Sequence, residues 1–159
     1  MTIEIQELTD ENRDWARTLL TERWGSTTIV TCGKLYLADT LAGFVATVKG
    51  ELKGLIMYQV SEEECEIISM DSLYEGMGIG SALLNAVHAF ALSMGCRRIW
   101  LITTNDNTVA LRFYQKKGFR LVAVHCNAID KSRKLKPEIP EKGFDGIPIR
   151  DEVELEIKT

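Results

Sequence analysis

No two cysteines in this chain stand at metal-ligand spacing. The four, Cys32, Cys65, Cys96 and Cys126, are spread roughly thirty residues apart, so reduced thiols in a metal-free, cytoplasmic protein are the expectation. The N-terminus lacks a basic stretch followed by an apolar one, the pattern of a secretory leader. Nothing approaches ~18 uninterrupted apolar residues, which excludes a membrane-spanning helix. A basic excess is missing too: the formal net charge is −4, which argues against nucleic-acid partners. Proline is scarce, with 3 in 159 residues, and all of them, Pro137, Pro140 and Pro148, fall in one segment near the C-terminus. No internal repeat or linker divides the chain, so one domain over residues 1–159 is expected, large enough to bury a core without staples.

What is present reads as mixed strands and helices. TIEIQEL alternates as a short strand, and Asp10 is placed to cap a helix to about Arg23 with Trp15, Ala16, Leu19 and Leu20 as its apolar stripe. Residues from Trp24 to Lys34 are left between a loop and a weak second helix. Strands are expected near Leu35–Ala38, Phe44–Lys49, Leu52–Ser61 and Glu64–Met70. Strict alternation in the last puts Glu66, Ile68 and Met70 on one face and Cys65, Ile67 and Ser69 on the other. Ile79, Leu83, Val87, Phe90 and Met94 recur at helical spacing, with Gly95 as a C-terminal cap. RIWLIT (Arg98–Thr103) has the continuous apolarity of a central strand. A helix over Asn107–Lys117 and strands over Arg120–Asn127 and Glu152–Ile157 complete the order. Residues 130–150, which hold the prolines with Gly143 and Gly146, read as an ordered loop.

The chemistry-bearing stretch is YEGMGIGSALL (Tyr74–Leu84), where Gly76, Gly78 and Gly80 precede a helix expected to begin near Met77. A helix N-terminus offers free N–H groups and partial positive charge, and glycines let an anion approach those amides. A tight strand-to-helix turn is the plainer explanation. The spacing G-x-G-x-G, with no lysine after it, matches neither the P-loop nor the dinucleotide fingerprint.

A second segment, LITTNDNTVALRFYQKKGF (Leu101–Phe119), follows at a fixed remove. Together the two motifs resemble those of the GCN5-related N-acetyltransferase (GNAT) superfamily, whose members move an acetyl group from acetyl-coenzyme A to an amine. The resemblance covers Leu55 to Phe119 most closely, and the whole chain fits in length and element order. It implies an α/β (α+β) acyl-CoA N-acyltransferase fold: a mixed, mostly antiparallel central sheet with helices on both faces. It also implies strands splayed to receive the pantetheine arm, with backbone groups of Ile68, Ser69 and Met70 pairing with it. Glu75, Gly76, Met77, Gly78, Ile79, Gly80 and Ser81 would surround the pyrophosphate, and Asn107 would reach the cofactor. Tyr114 matches the family's usual general acid, which protonates the departing thiolate; packing under the sheet is its plainer role. Glu75 stands where the family usually has Arg or Gln, and Ser72 where it often has Pro. A carboxylate there weakens phosphate binding unless it points away or pairs with a base.

The attacking amine must lose a proton. Glu66, polar on a core strand, is the candidate general base, because burial raises a carboxyl pKa. A position at the solvated start of the strand, with water accepting the proton instead, is the alternative. The amide of Met70 is the candidate oxyanion donor. His88 and His125 form no catalytic pattern, Cys65 and Cys96 read as core, and the basic run Lys131–Lys136 reads as loop surface. Trp24 to Tyr36, Tyr58 and the 130–150 segment are where the resemblance places acceptor recognition, with Trp24 and Tyr36 either lining an apolar pocket or part of the core; the 130–150 segment would cover the acceptor cleft or extend a homodimer interface. The expected activity is acetyl transfer to a primary amine of a small molecule or peptide. A non-catalytic acyl-CoA-binding protein of the same fold and an unrelated α/β interaction domain are the competing readings.

Overall fold

The computed structural model describes residues 2–159. A seven-stranded sheet runs in the order β1 (Ile3–Glu7), β4 (Ala42–Val48), β5 (Glu51–Ser61), β6 (Glu64–Ser72), β7 (Arg98–Thr104), β9 (Glu152–Lys158), β8 (Arg120–His125). All neighbours in it are antiparallel except β6 and β7. Helix α1 (Asp10–Trp24) lies on one face, while α2 (Ile79–Ser93) and α3 (Thr108–Lys116) pack on the other. This is the mixed α/β fold that the sequence pointed to, with helices on both faces. No helix among the described residues is long and apolar enough to cross a membrane.

The two faces are held by separate apolar clusters. Ala16, Leu19 and Leu20 of α1 pack on Val45, Leu55 and Met57. Leu83, Val87 and Ala91 of α2 pack on Ile56, Tyr58 and Leu101. Each fully buried leucine contributes roughly 1.5–3 kcal/mol to holding its helix to the sheet. Helix α1 begins after Thr9 rather than on a cap from Asp10: Asn12 Oδ1 accepts the Thr9 N–H at 2.8 Å, and Gly25 at φ 84° ends the helix. Tyr58, expected near the acceptor, is core, its ring against Phe44 and Phe90.

Three stretches differ from the sequence reading. Trp24–Lys34 contains neither a loop alone nor a helix, but half of a hairpin made by β2 (Thr28–Thr31) and β3 (Lys34–Leu37). Its turn is Cys32-Gly33, both at positive φ (53° and 71°), the backbone of a two-residue hairpin turn. The 130–150 segment opens with a helix, α4 (Ala128–Leu135), that buries Ile129 and Ser132. The basic run is therefore not simply loop surface. Lys136 is buried and donates to the carbonyls of Trp24 and Thr28, tying the segment to the hairpin.

The third difference is a bulge. Across β5 and β6, Met57 faces Ser69 and Tyr58 faces Ile67, so Ile68 is an extra residue. Strict alternation fails there. Cys65, Ile67 and Met70 share the α2 face, while Ile68 packs with α1 and Ser69 lies opposite Met57 on that same side. Met70 and Ser69 have exchanged the faces expected of them.

Candidate active site

The bulge sits where the sheet opens. β6 and β7 pair from Glu64↔Arg98 to Ile67↔Leu101 and no further, although both strands continue. Each is held on its outer side, β6 by β5 as far as Ser72 and β7 by β9 as far as Thr104. The inner edges of Ile68–Asp71 and Ile102–Thr104 thus face a gap in the middle of the sheet. A bulge adds local twist, which turns β6 away from its parallel neighbour.

The glycine run stands at one end of this gap. Gly76 and Gly78 are left-handed (φ 75° and 81°), and Gly78 caps α2, which begins at Ile79 rather than near Met77. No side chain caps that N-terminus, so the first-turn amides are open to an external acceptor. A Cβ on Gly76 would meet nothing within 4 Å, and one on Gly78 only Ile3 at 3.9 Å. Room for an anion exists at these two positions. Gly80 serves packing instead, since its missing Cβ would lie 3.3 Å from the Phe113 ring. Ile79 is buried in the core, leaving its amide as the group it can offer, and Met77 and Glu75 are exposed. Ser81 is half-buried in the first turn. Among the described residues Glu75 has no ion-pair partner. Asn107 borders the gap but also caps α3, its Oδ1 accepting the Ala110 N–H at 3.1 Å.

Tyr114 comes from the α2 face. Its ring packs edge-on against Phe113 and Phe119, each 5.2 Å away between centroids, and its hydroxyl lies 3.9 Å from the Met70 sulfur. Burial pushes its pKa well above that of an ordinary phenol, so it stays protonated.

On the opposite face, below α1, lies a cavity of about 770 Å³. Ile68 and Ser69 form its floor, the hairpin and α4 its walls, and Phe144 part of its far side. Trp24 lines it at the α1 end, with its indole N–H donating to the buried Asp71 at 3.1 Å. The gap thus has Tyr114 on one side and a cavity on the other.

Glu66 is buried on β6 on the cavity side of the sheet. Tyr36 donates its hydroxyl to Glu66 Oε1 at 2.8 Å, and burial raises the carboxyl pKa above the ordinary range. Its carboxylate borders a smaller cavity of about 140 Å³ with Lys34 and Trp100, not the large one. The fold therefore brings Ile68, Ser69, Met70, Asn107 and Tyr114 together at the gap and sets Glu66 to one side. Sequence reasoning missed Thr31, Asn105 and Asp106. The signal available was the NDN triplet directly after a central strand, too polar for a simple helix start. Asn105 accepts the N–H groups of Arg150 and Asp151, and Asp106 Oδ2 that of Phe144 at 3.1 Å, so both anchor the 130–150 segment. Among the described residues no group of three or more His, Cys, Asp or Glu side chains is arranged to hold a metal ion.

Comparison with known proteins agrees with this geometry. Residues 5–119 match the model of the acetyltransferase (GNAT) family. The uncharacterized protein YdhI of Bacillus subtilis (strain 168) is 46% identical over 147 residues, covering 89% of this chain and 92% of its own. Among solved structures, the IAA acetyltransferase of Bacillus cereus ATCC 14579 superposes with a TM-score of 0.76 at 22% identity, over 99% of this chain and 100% of that one. A GNAT family acetyltransferase of Elizabethkingia anophelis, solved with acetyl-CoA bound, superposes with a TM-score of 0.70 at 21% identity, over 99% and 98%. Family model, close relative and fold converge: the chain belongs to the acetyltransferase (GNAT) family.

Proposed function

We propose that the protein transfers the acetyl group of acetyl-coenzyme A to a primary amine by direct attack in a ternary complex. The observation that carries this reading is the opening of β6 from β7 beyond Ile67↔Leu101, beside a helix N-terminus capped by left-handed Gly78. An extended, amide-bearing arm fits the unpaired strand edges, and a pyrophosphate fits the first-turn amides of α2. Backbone groups of Ile68, Ser69 and Met70 are the partners for the arm. The amides from Met77 to Ser81 are the partners for the phosphates, and Asn107 keeps its side-chain N–H groups for the arm while its oxygen caps α3.

In the transfer, a bond forms between the amine nitrogen and the acetyl carbon, and the carbon–sulfur bond breaks. The amine gives up one proton and the leaving thiolate takes one. Tyr114 is the proton donor: it reaches the gap from the face opposite the cavity, where its hydroxyl has only the weak Met70 sulfur as partner and is free to turn to the leaving thiolate. Glu66 is the proton acceptor. Because it borders the smaller cavity, the proton reaches it through solvent and the Tyr36 hydroxyl. The Met70 amide stabilises the oxyanion. The large cavity admits the amine from the side away from Tyr114, so nucleophile and leaving group meet at the gap without exchanging places.

Calorimetric titration with acetyl-coenzyme A tests the reading, with Gly78→Glu as control and circular dichroism to verify that the variant folds. Saturable binding, abolished in folded Gly78→Glu, is expected. Failure of the wild type to bind at about millimolar cofactor, where useful metabolite affinities end, would sink it.

A further inference from the structure

Two primary amines of the chain itself, Lys136 and Lys142, line the large cavity. They stand in opposite conditions. Lys136 is buried, and its ammonium donates to the carbonyls of Trp24 and Thr28 at 2.9 and 2.8 Å. It is committed to holding the 130–150 segment against the hairpin. Lys142 is exposed, and among the described residues it has no ion-pair partner, not even Glu138 of the same lining. Arg23, the remaining cation of the lining, carries a guanidinium, which stays charged and is no nucleophile.

The backbone that carries Lys142 is fixed. Lys142 pairs with Pro148 in an isolated antiparallel bridge, flanked by Ile149 N–H donating to Glu141 O and Gly143 N–H donating to Ile147 O, both at 2.9 Å. This small turn is fastened to the end of β7. Asn105 Nδ2 donates to Pro148 O at 2.9 Å, and Asp106 Oδ2 accepts the Phe144 N–H at 3.1 Å. Gly143 comes so near that an added Cβ would lie 1.9 Å from that same oxygen. Asn107, which borders the gap, follows Asp106 directly. Ser69 and Ile102–Thr104, whose strands part to form the gap, line the cavity together with Lys142. A free amine on a flexible four-carbon stem thus stands in the chamber that opens onto the gap.

We propose that Lys142 is itself an acetyl acceptor, modified by the protein's own transfer reaction. This rests on the acetyl-transfer reading and adds to it a named nucleophile. The Lys142 ammonium first gives one proton to solvent. Its nitrogen then bonds to the acetyl carbon as the carbon–sulfur bond breaks. A second proton leaves the nitrogen for the general base, and the thiolate takes one from Tyr114. The products are an ε-acetamide and coenzyme A. Because amine and site share one chain, the effective concentration of the amine is on the order of millimolar, and no added acceptor is needed. Lys134 is equally exposed on the same segment but does not line the cavity, so it lacks this access.

Incubating the whole protein with acetyl-coenzyme A and no added amine, then weighing the intact chain and its peptides by mass spectrometry, tests this. One acetyl group per chain is expected, on Lys142, at a rate per molecule that stays constant over an about tenfold range of protein concentration. Labelling of Lys134 measures the non-enzymatic background. Tyr114→Phe should slow modification of Lys142 by about a hundredfold and leave that background as it is. Lys142→Arg should abolish the single addition. A readout apart from turnover comes from reductive methylation of the lysines with isotope-labelled formaldehyde. The Lys142 resonance, identified by its absence in Lys142→Arg, should shift as desulfo-coenzyme A is titrated in. Acetyl groups spread evenly over Lys134 and Lys142, a rate per molecule that rises with protein concentration, or a Lys142 resonance indifferent to bound desulfo-coenzyme A would overturn the inference. Turnover of an added amine with Lys142 unmodified would also overturn it and leave the acetyl-transfer reading standing. Failure of desulfo-coenzyme A to bind at all, read by calorimetry on the same sample, would bring down both.

Discussion

The hydroxyl of Tyr114 lies 3.9 Å from the sulfur of Met70, on the face of the sheet opposite the large cavity, in a surrounding that is otherwise aromatic. Thioether sulfur is a weak acceptor, so this phenol gains little from its present partner. Tyr114→Phe should therefore keep the melting temperature within about a degree or two, because ring packing is retained. The proton to the leaving thiolate is lost, and kcat should fall by about a hundredfold while the KM for acetyl-coenzyme A changes little. Steady-state kinetics with any accepted amine checks this; an unchanged kcat would return Tyr114 to a packing role.

Glu75 and the α2 amides stand on the same loop with opposite electrostatic preferences. The carboxylate is exposed and has no ion-pair partner among the described residues, so its effect on a pyrophosphate is a screened repulsion of about 1 kcal/mol or less. Glu75→Gln should tighten acetyl-coenzyme A binding by about three- to fivefold at low salt. The gain should shrink as ionic strength rises from about 0.05 to about 0.5 M. Equal affinities in calorimetry at both salt levels would mean that the side chain points away from the phosphates.

How much of this was legible in the sequence follows from how local each cause is. The strand–glycine loop–helix order and the Asn-to-Tyr helix are set by residues within one or two turns of each other, and both stand where expected. The face assignment of β6 failed because a bulge is chosen by the pairing of two strands. Nothing in CEIISM announces that Ile68 will be the extra residue. The β2–β3 hairpin was missed because its turn is Cys32-Gly33 rather than Asn-Gly, and a non-glycine residue at φ 53° leaves a weak mark. Gly80 was grouped with its neighbours by spacing alone, yet its reason is a ring thirty-three positions further on. Asp106 was passed over because its partners come from the 130–150 segment, whose folding no local pattern reveals.

Burial of Glu66 makes its contribution to stability depend on pH in the direction opposite to a salt-bridged acid. The folded protein holds its carboxyl pKa above the unfolded value of roughly 4.3, so folding favours the protonated form. Below both values the residue is protonated in either state and costs nothing. As pH rises from about 4.3 through the raised folded value, the buried charge develops and stability is lost. Glu66→Gln keeps an oxygen for the Tyr36 hydroxyl. It should melt higher than wild type at neutral pH, the difference vanishing by about pH 4. If Glu66 is the base, the same variant should lose roughly ten- to a hundredfold in kcat/KM. A more stable and fully active variant would remove it from the chemistry.

Gly143 and Asp106 touch so closely that a side chain on the glycine cannot coexist with the observed carboxylate. An added Cβ would lie 1.9 Å from Asp106 Oδ2 and 3.1 Å from Ile149 Cδ1. Gly143→Ala should therefore crowd that carboxylate. Displacing the carboxylate breaks its bond to the Phe144 amide, with an expected cost of about 1–3 kcal/mol and a melting point lower by several degrees. Gly146→Ala is the matched control: its Cβ would meet nothing, but its φ of 72° strains the backbone. Both variants lose stability, yet only the first disturbs Asp106. Acceptor KM should rise in Gly143→Ala and hold in Gly146→Ala, because Gly143 and Asp106 line the large cavity and Gly146 does not. An equal rise in both would show that the 130–150 segment acts as a whole rather than through the corner that Asp106 anchors.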